Sequence, residues 1–103
     1  MSLYVCGYVH GGKPKTKVGI ARNLRQRFEG LCAASPVHLE AYRAFDVPDF
    51  AARWMEREAH RMLSPWRSHG EWFDCDRRLA IDACEIAVSF EEAAEAFWRK
   101  RLD

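Results

Sequence analysis

Residues 49–63 place Ala52, Met55, Ala59, Met62 and Leu63 at helical spacing, which predicts a helix with one apolar face. Glu56 falls on that face, one turn from Ala52 and nearly one turn from Ala59. A carboxylate there is costly unless it is paired or binds a cation. His60 follows at i+4, so the ordinary reading is a border glutamate bonded to an arginine or to His60. The other reading is a hard oxygen donor for a divalent cation. Glu58 faces elsewhere on the same helix, which favours Glu56 as the donor. Arg27 sits at the edge of another apolar face, three residues after Leu24 and four before Leu31. It either snorkels or presents its fork of N–H donors to a phosphate. Tyr4 and Tyr8 share one face of a β-rich segment, with His10 next in period. Core tyrosines with hydroxyls at the rim are the common case. A phenol does proton chemistry only where a cation and a water converge on it.

The elements that must carry these groups follow from turn and capping signals. Residues 3–9 are aromatic and β-branched and predict a strand. Gly11-Gly12-Lys13-Pro14 marks a turn, and residues 16–20 predict a second short strand, making a hairpin with a basic loop. Asn23 can cap a first helix that carries Leu24, Phe28 and Leu31 and ends near Ala33, before Ser35-Pro36. Residues 37–47 predict a third strand, with Leu39 and Ala41 on one face and Tyr42 and Ala44 on the other. The Glu56 helix opens at Pro48-Asp49 and stops at Ser64-Pro65. Residues 68–75 read as a short irregular or extended piece. Asp76 can cap a third helix to about Val88, and Ser89 with Glu92 forms a capping box for a fourth. The order β-β-α-β-α-α-α predicts an α+β fold: a three-stranded, mostly antiparallel sheet flanked by helices, as one domain over residues 1–103.

Composition narrows the class. With 49% hydrophobic and 30% charged residues the chain is globular rather than disordered. No apolar run is long enough to span a bilayer and no secretory signal is present, so a cytoplasmic protein without membrane contact is expected. Cys6, Cys32, Cys75 and Cys84 have neither C-x-x-C nor zinc-finger spacing and are expected to be reduced and mostly buried. The net charge of +1 hides an asymmetry: Lys13, Lys15, Lys17, Arg22, Arg25 and Arg27 precede residue 28 with no acid among them. A basic segment suits a polyanion, although a solvated loop and helix face would look the same.

Taken together, the chain resembles the GIY-YIG nuclease superfamily, in particular the branch typified by a small phage T5 reading frame and its bacterial relatives. The resemblance is carried by Leu3-Tyr4-Val5, by Lys17-Val18-Gly19, by Asn23-x-x-x-Arg27, by Glu56-x-x-x-His60 and by Gly70-Glu71-Trp72-Phe73. These span residues 3–75 in the family's order; residues 76–103 match no motif and read as a helical flank. One departure is Lys17, which stands where the second motif carries a tyrosine.

The resemblance implies a GIY-YIG-like fold and a divalent-metal-dependent endonuclease acting on DNA in preference to RNA. Glu56 would hold a single Mg²⁺ or Mn²⁺. Arg27 would contact the non-bridging phosphate oxygens. Tyr4 would help deprotonate water, its pKa lowered by neighbouring positive charge such as Lys17; Lys17, which could still contact phosphate, and His60 belong to the same catalytic set. Lys13, Lys15, Arg22 and Arg25 would carry the remaining backbone contacts. Two other readings stay open. The Lys17 departure fits a catalytically inactive nucleic-acid-binding module of the same fold. The acidic stretch 82–95 with Phe90, Phe97 and Trp98 fits a protein-interaction or dimer face, against ordinary packing of those aromatics onto the sheet. The protein is expected to be a monomer or a homodimer.

Overall fold

The structure is a computed structural model that describes residues 1–102, apart from the side chains at 91, 93–95, 98, 101 and 102. Its frame is a hairpin of two nine-residue strands, β1 (Ser2–His10) and β2 (Lys13–Ala21), paired antiparallel from Ser2↔Ala21 to His10↔Lys13. The two turn residues, Gly11 and Gly12, have φ of 59° and 75°, which glycine adopts without steric cost. Both strands run longer than their apolar cores suggested, because ladder hydrogen bonds extend through the polar residues near the turn.

The chain then forms α1 (Leu24–Ala34), β3 (Glu40–Asp46), α2 (Asp49–Met62), a 3-10 turn (Ser64–Trp66), β4 (Arg67–His69), β5 (Trp72–Phe73) and α3 (Arg77–Leu102). Asn23 caps α1 by accepting the Gln26 N–H at 3.0 Å, and Asp76 accepts the Leu79 N–H at 2.9 Å at the start of α3. The sheet has order β3-β1-β2-β5-β4 and every pairing is antiparallel.

The architecture is α+β as expected, with three corrections. The sheet has five strands, not three. Residues 67–73 form a small hairpin turned at Gly70 (φ 58°) and docked on β2 through Thr16↔Phe73 and Lys17↔Trp72. Strands of three and two residues carry no readable period. What holds them is tertiary: Phe73 is fully buried, and the buried Thr16 hydroxyl donates to the Cys75 carbonyl at 2.6 Å. Second, no fourth helix starts at Ser89; α3 runs unbroken past it. No glycine or proline interrupts residues 77–102, and an unbroken ladder of i→i−4 bonds wins over the local capping box. Third, Tyr42 and Ala44 do not share a face. The register slips between Val5 and Cys6 where β3 bulges, so Ala44 lies opposite Tyr4 while Tyr42 packs with the Leu3–Val5 cluster.

The main core lies between the sheet and the pair α2 and α3. It contains Leu3, Val5, Val18, Met55, Leu63, Phe73, Ala80 and Cys84. The opposite sheet face carries Tyr4, Cys6 and Ala21, partly covered by Leu24, Phe28 and Leu31 of α1. No residue of α1 is fully buried. Phe90 does not reach the sheet: its ring stacks on Trp54 at 5.6 Å and stays 62% exposed, while Phe97 is 46% exposed. Trp98 and Glu95 of the same stretch lie outside the described side chains. Cys6, Cys75 and Cys84 are buried; Cys32 is exposed. No described helix is long and apolar enough to cross a membrane.

Candidate active site

Alternation along β2 turns Thr16 and Val18 toward the main core and Lys17, Gly19 and Ala21 toward the α1 side. Tyr4 lies directly opposite Gly19, and Cys6 opposite Lys17. The Tyr4 ring crosses over Gly19: a Cβ at that glycine would come within 2.6 Å of the phenolic oxygen. Gly19 therefore makes the seat of the Tyr4 hydroxyl, and any larger residue would fill it.

Beyond Lys17, β2 loses its neighbour. β5 ends its pairing at Lys17↔Trp72, with one further bond from the Val18 N–H to the Glu71 carbonyl at 3.2 Å. Groups from both sides of the sheet meet at this open edge. From α2 come Glu56 and His60. The His60 Nε2 lies 2.8 Å from the Val18 carbonyl, which can only accept, so Nε2 carries the proton and ties α2 to β2. The same ring packs on Phe73 at 5.2 Å. His60 is thus an anchor for the helix that presents Glu56, one turn earlier. Glu58 is turned away and bonded to Arg61 at 2.8 Å.

The groups near this edge are linked electrostatically. Burial pushes the Tyr4 phenol up to about 12, with the charges of Cys6, Glu71 and Glu56 adding to the rise and Arg27 opposing it. Burial also raises the Glu56 carboxyl, helped by Glu71 and opposed by His60, Lys17 and Arg53. Among the described residues no hydrogen bond or ion pair engages the Glu56 carboxylate. Tyr4, Lys17, Arg27, Glu56, His60 and Glu71, from five separate segments, are thus linked through the charges felt by the Tyr4 phenol and the Glu56 carboxyl and through the Lys17–Glu71 pair.

Two expectations change. The Tyr4 phenol is raised, not lowered. Lys17 does not act on it, because its amine is paired with Glu71 at 2.6 Å and sits 5.9 Å from the Trp72 ring, only 8% exposed. Glu71, named in the sequence only as part of the motif at 70–73 and given no role there, is the counter-charge to Lys17. Its signal was Lys17: a lysine replacing a tyrosine inside a strand needs a counter-charge when buried.

The six early cations do not merge into one basic surface. Lys15 pairs with Asp74, Arg22 with Asp49 at 2.7 Å, and Arg25 with Glu29 at 3.2 Å. Lys13 lies exposed at the end of the β1–β2 hairpin. The exposed Arg27 guanidinium has no ion-pair partner among the described residues. It borders an open depression of about 630 Å³ shared with Arg22, Asn23 and Gln26.

The donor set suits a hard cation. Glu56 and Glu71 offer carboxylate oxygens that repel one another, and no group of three metal-ligating side chains exists among the described residues. Mg²⁺ commonly keeps several waters and takes one or two carboxylates plus substrate phosphate, so these residues fit it.

The family model of the T5orf172 domain matches residues 1–88. No curated protein and no solved structure matches the chain.

Proposed function

Because the chain belongs to the T5orf172 domain family, a nuclease-like and DNA-associated family, we propose that it is a divalent-metal-dependent endonuclease of GIY-YIG type that hydrolyses phosphodiester bonds in DNA. The observation that supports this reading is the Tyr4 phenol seated over Gly19 within electrostatic reach of both Arg27 and Glu56, with the Glu56 carboxylate unpaired among the described residues. A half-buried carboxylate with no protein partner remains available to a cation.

The residues divide the work of hydrolysis. Arg27, unpaired and exposed, offers a fork of donors to the non-bridging oxygens of the scissile phosphate. Gly19 lets the Tyr4 oxygen lie over β2, where it accepts the proton of the attacking water. The water oxygen forms the new bond to phosphorus, and the bond to the leaving oxygen breaks in line. Glu56, with Glu71 nearby, would hold a single Mg²⁺ or Mn²⁺, which would supply stabilisation of the developing charge. Glu56 and Glu71 both raise the Tyr4 pKa, so neutralising them removes two of the causes that keep the phenol protonated. Lys17 keeps Glu71 at the opening, and His60 fixes the turn of α2 that carries Glu56. Lys13, Lys15, Arg22 and Arg25 serve the flanking backbone. For the paired three, exposed ion pairs worth under about 1 kcal/mol are exchangeable for phosphate.

Incubation with supercoiled plasmid in Mg²⁺, Mn²⁺ or EDTA tests the reading. Metal-dependent nicking that falls at least about 100-fold in both Glu56→Ala and Arg27→Ala is the expected result. The neutralised Lys17 favours one other outcome. If no protein nicks, yet all bind DNA equally and in a salt-sensitive manner, the fold serves as a binding module whose catalysis ended at Lys17.

A further inference from the structure

The face of the sheet that bears Tyr4 continues along β1 through Cys6 to Tyr8, about 13 Å further on at 3.3 Å per residue. There the site gives way to a second feature. Tyr8 and Trp72 meet with ring centres 5.9 Å apart and planes inclined at 59°, so the rings form an angled wall instead of stacking on one another. Both are only partly buried. Facing them are Leu31 at the end of α1 and Pro36 and Val37 in the loop that follows, enclosing a pocket of about 500 Å³. Lys15 and the exposed His69 are among its other lining residues. The pocket adjoins the site through Trp72, whose ring lies 5.9 Å from the Lys17 amine and which follows Glu71 in the chain.

The tilt itself is ordinary aromatic packing; what the pair leaves open is ring surface beside Lys15 in the lining of a pocket. An aromatic pair kept half-open beside a cation, against an apolar wall, is the chemistry that stacks a nucleobase. Bases within a continuous duplex have their faces covered by their neighbours and cannot enter such a slot. We propose that the Tyr8–Trp72 pocket receives an unpaired base of the strand whose backbone passes the Tyr4–Arg27–Glu56 site. The substrate is then DNA with a single-stranded segment beside the scissile phosphate, such as a flap, gap or loop. Lys15 is placed to exchange Asp74 for the phosphate of the captured nucleotide. This inference rests on the nuclease reading for the position of the scissile bond, but base capture itself does not require cleavage.

The test is binding in EDTA, by fluorescence anisotropy, of three labelled probes: a single strand, a fully paired duplex and the single strand with one base removed at successive positions. The proposal expects the single strand to bind more tightly than the duplex and one abasic position to weaken it. Trp72→Ala is expected to weaken single-strand binding by roughly 5- to 100-fold, the range of one stacked base. Trp72→Phe keeps most of it, which separates lost stacking from lost folding. Equal affinity for single strand and duplex, indifference to every abasic position, or equal loss on both probes in Trp72→Ala would overturn the pocket assignment. Because no metal is present, a protein that fails to nick plasmid yet shows the abasic pattern loses the nuclease reading and keeps the base pocket.

Discussion

The two faces of the sheet are built to different standards. Toward α2 and α3, Leu3, Val5, Val18, Met55, Leu63 and Phe73 are each at most 1% exposed. Toward α1 the buried apolar cluster is the small set Tyr4, Cys6 and Ala21, and the helix above them is held by the half-buried Leu24, Phe28 and Leu31. The dry face supplies most of the apolar burial and therefore most of the stability. The open face leaves depressions on both sides of α1, next to Arg27 and next to Trp72. Chemistry that must admit water, phosphate and a base belongs on the second face. The first face reaches it at one place, the β2 edge, where His60 and Glu56 come round from α2.

The sharpest way to break this contrast is to cut equal volume from each face. Phe73→Ala is expected to cost about 3–5 kcal/mol in urea unfolding, whereas Phe28→Ala should cost about half that or less. Equal losses would mean that α1 is part of the core and not a loosely seated cover. Two glycines repeat the comparison with smaller changes. A Cβ at Gly7 would lie 2.1 Å from the Lys15 carbonyl oxygen, and one at Gly19 would meet the Tyr4 hydroxyl. Gly7→Ala must push β1 from β2 and is expected to cost about 1–3 kcal/mol or more of stability. Gly19→Ala displaces a side chain, so it should lose nicking out of proportion to its stability. The contrast fails if both variants unfold alike.

The α1 side was the more legible in its chemistry and the less legible in its electrostatics. Arg27 and Glu56 stood out by spacing, each lying at or on an apolar helix face, whereas Tyr4 and Gly19 drew a role only from the family resemblance. The hairpin β1–β2, the Asn23 cap and the limits of α2 were likewise local signals. The β4–β5 hairpin was not, because Phe73 and Thr16 hold it and those residues are far apart along the chain. The charge run was misleading for the same reason. Asp74, Asp49 and Glu71 return from distant segments to meet Lys15, Arg22 and Lys17, and one-dimensional counting cannot see them.

The raised Tyr4 phenol gives the next test, in the pH dependence of cleavage. A base with a pKa near 12 is almost wholly protonated at neutral pH, so the active fraction grows tenfold per pH unit, about 1.4 kcal/mol each. Single-turnover nicking is expected to rise with near-unit slope from pH 7 to 9 at saturating Mg²⁺, and the slope should flatten in Tyr4→Phe. A flat wild-type profile over that range removes Tyr4 as the base.

The smallest effect is the most specific to Glu56. Its folded-state pKa is raised, so the fold favours the neutral acid. The stabilisation is fully present below the ordinary glutamate pKa and is lost as pH rises through the higher folded value. Glu56→Gln cannot ionise. Relative to wild type it should therefore gain stability as pH rises above the ordinary glutamate pKa, and level off once pH has passed the raised folded value. Because the carboxylate is partly exposed, the gain is below what full burial would produce. Millimolar Mg²⁺ at neutral pH should narrow the gap by raising the wild-type melting temperature and leaving Glu56→Gln unmoved, since a ligand stabilises only the state that binds it. A Glu56→Gln protein less stable than wild type across the whole range would make Glu56 a structural partner of the packed face. The division between the two faces would then fail at the one edge where they join.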